Sequence, residues 1–445
     1  MNVKRESAFF RQSSWMVIAT FAGGFFMTLV HTVARKMGPQ EYSTFVTLLR
    51  LLIIMGIPSA ALQTVFAGQA AAVTSAAKKE QLIATTRAIL AGTFLIWIAS
   101  ALAVLAAARP LSHLLRISHP AALYFTVLLC LTSLWIPVLK GILQGEHRFW
   151  GLGWLQISDG VGRFSVMLLV ILLLTCKAAG AMFAALAGQL VTAAIGLALT
   201  RSIWGTRPAV SFDARGWLRE AVPLTLGLGT VLLMSSMDML FVQGLFADTR
   251  QTALYSGAML TGFAIIQFIA PVAMVMFARV AQSAARSEQS NSLKLTLAST
   301  LVFGCVAGVG CTLLPSLPLR LMYLGNKEMW NAAPLVPWFA WALLPLTVAN
   351  VLVQNLLARA RFGAVPWLLL VPGLYGAALC FQAPALVKMQ SFDAFIRVIQ
   401  TLGLAGLTLC LVAAWFSRPK AAATASGQDS AAARAIFGTA ASPKE

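Results

Sequence analysis

YSTFVTLLRLLIIMGIPSA (residues 42–60) has the length and apolar character of a helix that crosses a bilayer, except that Leu49 is followed by an arginine. About 20 residues of helix span the ~30 Å hydrocarbon core. A guanidinium near the middle of such a helix costs roughly 2.5–3.5 kcal/mol on insertion scales, so it normally faces protein, water or a ligand. Arg50 therefore requires a partner, and the rest of the chain has to supply the candidates.

Similar apolar runs recur along nearly the whole sequence. Of its 445 residues 59% are hydrophobic and 11% charged, and the mean hydropathy is +0.81. A soluble domain would have no interior large enough for that much apolar surface. About twelve spans are expected, at residues 13–34, 43–63, 84–108, 121–143, 160–175 and 178–200, then 221–246, 254–280, 292–314, 333–357, 364–381 and 392–416. Pro58, Pro137, Pro271 and Pro345 interrupt some of them, which helices packed in a bundle tolerate. Strands of a β-barrel would be shorter and would alternate, so the reading is an all-α integral membrane protein.

The 33 basic residues against 14 acidic ones raise the question of nucleic acid, but their distribution follows membrane topology instead. With the N-terminus inside, the cytoplasmic segments carry Lys78, Lys79, Arg148, Arg201, Arg207, Arg215, Arg359 and Arg361 among others, and the opposite loops hold fewer. The positive-inside rule then places both termini in the cytoplasm. The first apolar run is too long for a cleavable signal and lacks a small-residue cleavage site. The six cysteines lie in or at the ends of spans without CxxC or Cys/His ligand spacing and read as packing thiols. No metal site or cofactor is expected.

Shifted by about 213 residues, the sequence matches itself without a gap. Tyr42-Ser43 meets Tyr255-Ser256, Ile53 meets Ile266, Pro58 meets Pro271 and Gln69 meets Gln282. This is an internal duplication. Six spans separate the copies, so the two halves have the same orientation and are expected to be related by a pseudo-two-fold axis along the membrane normal. The expected division is a six-helix lobe over 1–200, a basic cytoplasmic linker over 201–220, a second lobe over 221–417, and a tail over 418–445 whose Ala/Ser-rich composition cannot build a core.

Charges within the spans are few: Arg50, Lys140, Arg163, Asp238 and Arg397. Most are cations, and by the span limits they occupy both leaflets. Such a set suits an anion that crosses the membrane, a phosphate or pyrophosphate above all, because each cation lowers the cost of taking the anion out of water. The structural alternative pairs Arg50 with Asp238 and lets Lys140 snorkel to the surface. Asp159 stands four residues before Arg163, in reach for an intrahelical pair. Asp238 and His31 could instead serve proton or sodium coupling, or charge balance. Gln63, Gln243, Gln267, Asn350 and Gln354 could line a watery cavity and bind sugar hydroxyls, or bond between helices. There is no HExxH, Walker A, GxSxG or Gly-rich nucleotide turn, and the reading is transport rather than catalysis.

Three motifs carry a resemblance. ARKMGPQEYSTF (34–45) looks like an A-x-x-x-G-x-x-x-Y-G-x-F stretch after the first helix, with Ser43 in place of glycine. GILQGEHRF (141–149) follows the fourth span, and REAVPLTLG (219–227) leads to Met237-Asp238 and then Tyr255 and Ala258. Together they resemble the polysaccharide flippases of the multidrug/oligosaccharidyl-lipid/polysaccharide (MOP) exporter superfamily, although Ala278 stands where that family often has proline. The resemblance implies two six-helix lobes around a central cavity that opens alternately to each side of a bacterial inner membrane. It implies a cargo of undecaprenyl-pyrophosphate-linked oligosaccharide, with membrane lipids and other polysaccharide-assembly membrane proteins as partners and no nucleic acid. Arg50 and Arg397 would hold the pyrophosphate, and Arg163 and Lys140 would admit it. Two competitors follow from other readings. A cation-coupled exporter of organic cations would want acidic cavity residues, and a membrane glycosyltransferase or polymerase would need a large outer loop.

Overall fold

The computed structural model describes residues 2–34, 37, 41, 44–45, 48–49, 52, 56–114, 120–174, 177–204, 210, 212–246, 249–285, 292–322, 327–389 and 391–418. All regular structure among them is helical, and ten of these helices are long and apolar enough to cross a membrane. Contacts divide the chain into two compact units between Ala221 and Val222. The first holds α1 (Asn2–Ala34), α2 (Gly56–Ala71), α3 (Ala76–Ala106), α4 (Ala108–Leu114), α5 (Ala121–Gly145), α6 (Phe149–Leu174) and α7 (Ala178–Leu199). The division falls within α8 (Ala214–Met234). The second unit continues with α9 (Met237–Leu245), α10 (Thr249–Ala285), α11 (Ser292–Leu313), α12 (Ser316–Met322), α13 (Val336–Ala358), α14 (Val365–Leu386) and α15 (Ser391–Ser417).

The ten spans match the expected set except at its second and eighth members. Much of 43–63 lies outside the described residues, and the eighth falls on the long helix α10, where the side chains of 264–270 are not described. Large apolar side chains such as Leu95, Ile96, Val306 and Leu411 are exposed along the helices, an outer surface suited to lipid rather than water.

Two expected boundaries are corrected. The fifth span does not begin at residue 160; α6 starts at Phe149. The intervening GLGWLQISD (151–159) is rich in glycine and polar residues, which lowers its hydropathy, yet its glycines are packing points, Gly151 against Leu199 of α7 and Gly153, like Gly160 just after it, against α1. A Cβ on Gly153 would fall 2.2 Å from the Trp15 indole nitrogen, and one on Gly160 would fall 2.3 Å from the Gly23 carbonyl oxygen. The seventh span, expected as one helix over 221–246, is broken between α8 and α9. Both Ser235 and Ser236 donate their hydroxyls to the Leu232 carbonyl, while the Ser236 N–H turns to Leu233. The helical ladder is interrupted by its own serine side chains.

In the first unit α2 and α5 approach until backbone meets backbone. A Cβ on Gly141 would lie 2.4 Å from the Gln63 carbonyl oxygen, and one on Gly145 the same distance from that of Ala67. This is small-xxx-small packing, which lets helices gain dispersion contact where no hydrophobic effect drives them together. In the second unit the rings of Phe339 and Phe395 each lie 5.1 Å from that of Tyr255, forming a wholly buried aromatic core.

The duplication is visible in the backbone. The turn after α5 passes through His147 at φ 57° and the turn after α13 through Ala360 at φ 55°, the two non-glycine residues at positive φ among those described, and the same offset relates them. In each case the next residue is an arginine whose N–H closes the helix end, Arg148 onto the Leu143 carbonyl at 2.8 Å and Arg361 onto that of Leu356 at 3.0 Å. Each guanidinium also donates to the end of the last helix of its unit, Arg148 to the Leu199 carbonyl and Arg361 to that of Phe416. Alanine in the left-handed region carries a steric cost that glycine lacks. Ala360→Gly is therefore expected to raise stability by about 0.5–1 kcal/mol, read as an upward shift of the thermal unfolding midpoint in detergent.

Candidate functional site

The polar side chains of the first unit converge between α2, α5, α6 and α7. Pro137 in α5 has no N–H, which deprives the Ser133 carbonyl of its helical donor. Ser59 on α2 supplies the missing bond, its hydroxyl donating to that carbonyl at 2.7 Å. Losing the bond should cost about 1–2 kcal/mol. Ser59→Ala is expected to lower the unfolding midpoint in the native background and much less in Pro137→Ala, where the backbone N–H returns; the double-mutant cycle isolates the term.

Around this kink a partly open cavity of about 190 Å³ is lined by Ser59, Ser133, Lys140, Asp159 and Gln189, with Leu52, Gly56, Ile136 and Pro137 as its apolar walls. The half-buried Lys140 donates from Nζ to Gln156 Oε1 at 3.0 Å. Gln156, Asp159 and Arg163 follow at i, i+3 and i+7 on one face of α6. Arg163 donates from Nε to Asp159 Oδ1 at 2.9 Å and from Nη2 to Oδ2 at 3.4 Å, and both side chains are mostly buried. Gln189 accepts from the Thr132 hydroxyl and donates to Ser133 Oγ at 3.4 Å. Arg163 also borders a smaller space of about 20 Å³ beside Met27, Phe45 and Met167.

Two cations and one carboxylate leave this cluster with one positive charge in excess. Arg163 is bridged to Asp159, whereas the Lys140 ammonium hydrogen-bonds a neutral amide and shares the field of that same carboxylate. Its remaining N–H groups are available to an anion. The space is below the ~300 Å³ of a typical ligand pocket, which suits a phosphate group and not an oligosaccharide.

The other residues singled out from sequence are placed separately. Gln63 donates to Gln144 Oε1 at 2.9 Å, an interhelical bond between α2 and α5. In the second unit Asp238 on α9 is wholly buried and accepts from the Tyr255 hydroxyl at 2.8 Å, a partner the sequence reading did not name. Asn350 and Gln354 share a face of α13 and bond to each other at 3.2 Å. Arg397 is exposed on α15. Arg50 lies outside the described residues; His31, Gln243 and Gln267 stand on described helices, but their side chains lie outside them. Gln156 and Gln189 were missed. The i, i+3, i+7 spacing on α6 was a usable signal for the first, hidden by starting that span at residue 160; the second is a lone amide in an Ala/Gly-rich helix, with nothing local to mark it.

A bundle of membrane-length helices in two units, with polar groups gathered inside one of them, defines a polytopic membrane protein with a transporter fold. Solved structures share it. The eukaryotic MATE transporter AtDTX14 superposes with a TM-score of 0.76 at 11% identity, covering 97% of this chain and 99% of its own. The Vibrio cholerae MATE transporter VcmN gives 0.76 at 13% over 92% and 96%. A MOP superfamily transporter from Pyrococcus furiosus, described as having a binding pocket of reversed polarity, gives 0.72 at 14% over 92% and 94%. No curated protein matches the sequence. Residues 39–284, more than half of the chain, match the family described as polysaccharide biosynthesis protein, and the chain belongs to that family.

Proposed function

We propose that the protein is a flippase that moves an undecaprenyl-pyrophosphate-linked oligosaccharide from the cytoplasmic to the outer leaflet of a bacterial inner membrane by alternating access, for surface polysaccharide assembly. The observation that carries this reading is Lys140, an ammonium held among membrane helices against a neutral amide, on a cavity it shares with Asp159, whose bridge partner Arg163 adds a second cation to the cluster. Membership of a polysaccharide biosynthesis family supports the same substrate class. In this proposal Lys140 and Arg163 receive a phosphate of the headgroup, Arg50 and Arg397 hold it later in the passage, the lipid tail stays in the bilayer, and Asp238 sets charge balance or ion coupling. No covalent bond is made or broken. An exporter of organic cations is disfavoured because the cluster holds two cations, Lys140 and Arg163, to one carboxylate.

The test is a deletion strain. Lipid-linked precursor should accumulate on the cytoplasmic side with loss of surface glycan, and the wild-type gene should restore both. Unchanged surface glycan with heightened sensitivity to cationic dyes would overturn the proposal in favour of a drug exporter.

A further inference from the structure

The two duplicated helix ends differ in one charge. After α5 the chain reads Glu146-His147-Arg148, and after α13 it reads Arg359-Ala360-Arg361. In the first unit Glu146 Oε2 lies 3.5 Å from Arg148 Nη1, so the loop brings its own counter-ion. In the second unit a cation occupies the position of that acid. Arg359 is half-buried, and its Nε donates to the neutral Asn355 Oδ1 at 3.1 Å. Burial, and then the neighbouring Arg361, pull its pKa down, as happens to a cation with no matching anion among the described residues.

A third guanidinium stands at the same end of the unit. Arg361 Nη1 donates to the carbonyls of Phe416 at 2.9 Å and Arg418 at 3.0 Å, which ties the end of α15 to this loop. Arg418 in turn lies over the exposed Trp415 ring, 4.9 Å from its centroid. A cation at a helix C-terminus is ordinary, but that accounts for neither the reversal of charge at the position of Glu146 nor the crowding of Arg359 against Arg361. Both α13 and α15 finish here, which is the depth at which spans leave hydrocarbon and headgroup phosphates begin, and exposed tryptophan prefers that layer.

We propose that Arg359, Arg361 and Arg418, flanked by Trp415, bind the phosphate of a resident anionic phospholipid, which offsets the cation that stands at position 359 where the first unit has Glu146. Guanidinium forks suit phosphate oxygens, and basic groups at the ends of membrane helices are recognised headgroup sites. The site is independent of the transported substrate: its occupant stays in one leaflet.

Native mass spectrometry of the full-length protein in detergent tests the assignment, with phosphatidylglycerol and phosphatidylcholine of matched chains. The wild type should retain the anionic lipid about fivefold better, the effect of roughly one guanidinium near a phosphate. Arg359→Glu, which copies the first unit, should bring the two lipids to parity, while Arg359→Lys keeps the preference. Glu146→Arg should create a second retained phosphatidylglycerol, a gain that misfolding cannot imitate. Equal retention of both lipids by the wild type, an unchanged preference in Arg359→Glu, no second adduct in Glu146→Arg, or displacement of the lipid by millimolar inorganic phosphate would each overturn it.

Discussion

Gly145→Val is expected to abolish accumulation of folded protein. A Cβ at this position would lie 2.4 Å from the Ala67 carbonyl oxygen, 2.6 Å from the Ala70 Cβ and 2.7 Å from the Ala71 nitrogen, so the obstruction is mostly backbone and cannot swing aside. α5 must then move away from α2, which strips contacts along the whole seam, including the Gln63–Gln144 bond and the Ser59 bond to the Ser133 carbonyl. Overpacking a close contact costs about 1–3 kcal/mol even where side chains can yield, and here they cannot, so the loss should be larger. Membrane proteins gain little from hydrophobic association inside lipid, which leaves helix packing to carry much of the stability. Fluorescence-detected size-exclusion of a tagged protein gives the readout. Gly24→Ala is the control: it has open space around its Cβ on α1 and should be neutral or mildly stabilising. A monodisperse Gly145→Val peak with the native melting temperature would show that the α2–α5 contact is wrong.

Lys140→Met is expected to cut transport at least tenfold while leaving the fold intact. The substitution keeps the length and apolar stem of the side chain but deletes the ammonium that faces the polar cavity. A charge-assisted hydrogen bond to a phosphate is worth about 1.5–3 kcal/mol, which corresponds to roughly 10- to 150-fold in rate or affinity. Stability should hardly fall, because removing a desolvated ammonium offsets the amide left unbonded at Gln156. Lys140→Arg should retain more activity than Lys140→Met, since the charge survives with altered reach. Surface glycan in a complemented deletion strain, measured beside the protein's melting temperature, separates the two effects. Full transport by Lys140→Met at native abundance would remove this side chain from the substrate path.

Much of the molecule could be read before any coordinates. Each apolar run reports its own tendency to cross the bilayer, because transfer into hydrocarbon is additive over about 20 residues and requires no knowledge of neighbours. The two misjudged limits have different causes. Gly151 and Gly153 lower the local hydropathy at the start of α6 while allowing close packing on α7 and α1, and an average over a window records only the first of those effects. The break at Ser235-Ser236 was equally hidden, since serines in an apolar run signal a kink only when their hydroxyls take a backbone carbonyl, as both do with Leu232.

Reading the candidate site was harder. Lys140, Asp159 and Arg163 were visible as charges, and the i, i+4 pair of the last two follows from helical geometry alone. That Lys140 would meet Gln156, that Asp238 would meet Tyr255, and that Ser59 would repair the backbone beside Pro137 depends on helix rotation and depth, which the spacing along one helix does not contain.

The sequence by itself determined that this is an all-helical membrane protein with an internal duplication, since hydropathy and self-similarity are properties of the chain alone. It also carried enough motif to point to the family. Only the tertiary structure decided which buried polar groups face one another, which arginine has an acid bridged to it among the described residues, and where backbones touch through glycine. A buried charge or carbonyl is satisfied by whatever helix lies across from it, and that helix can come from more than a hundred residues away.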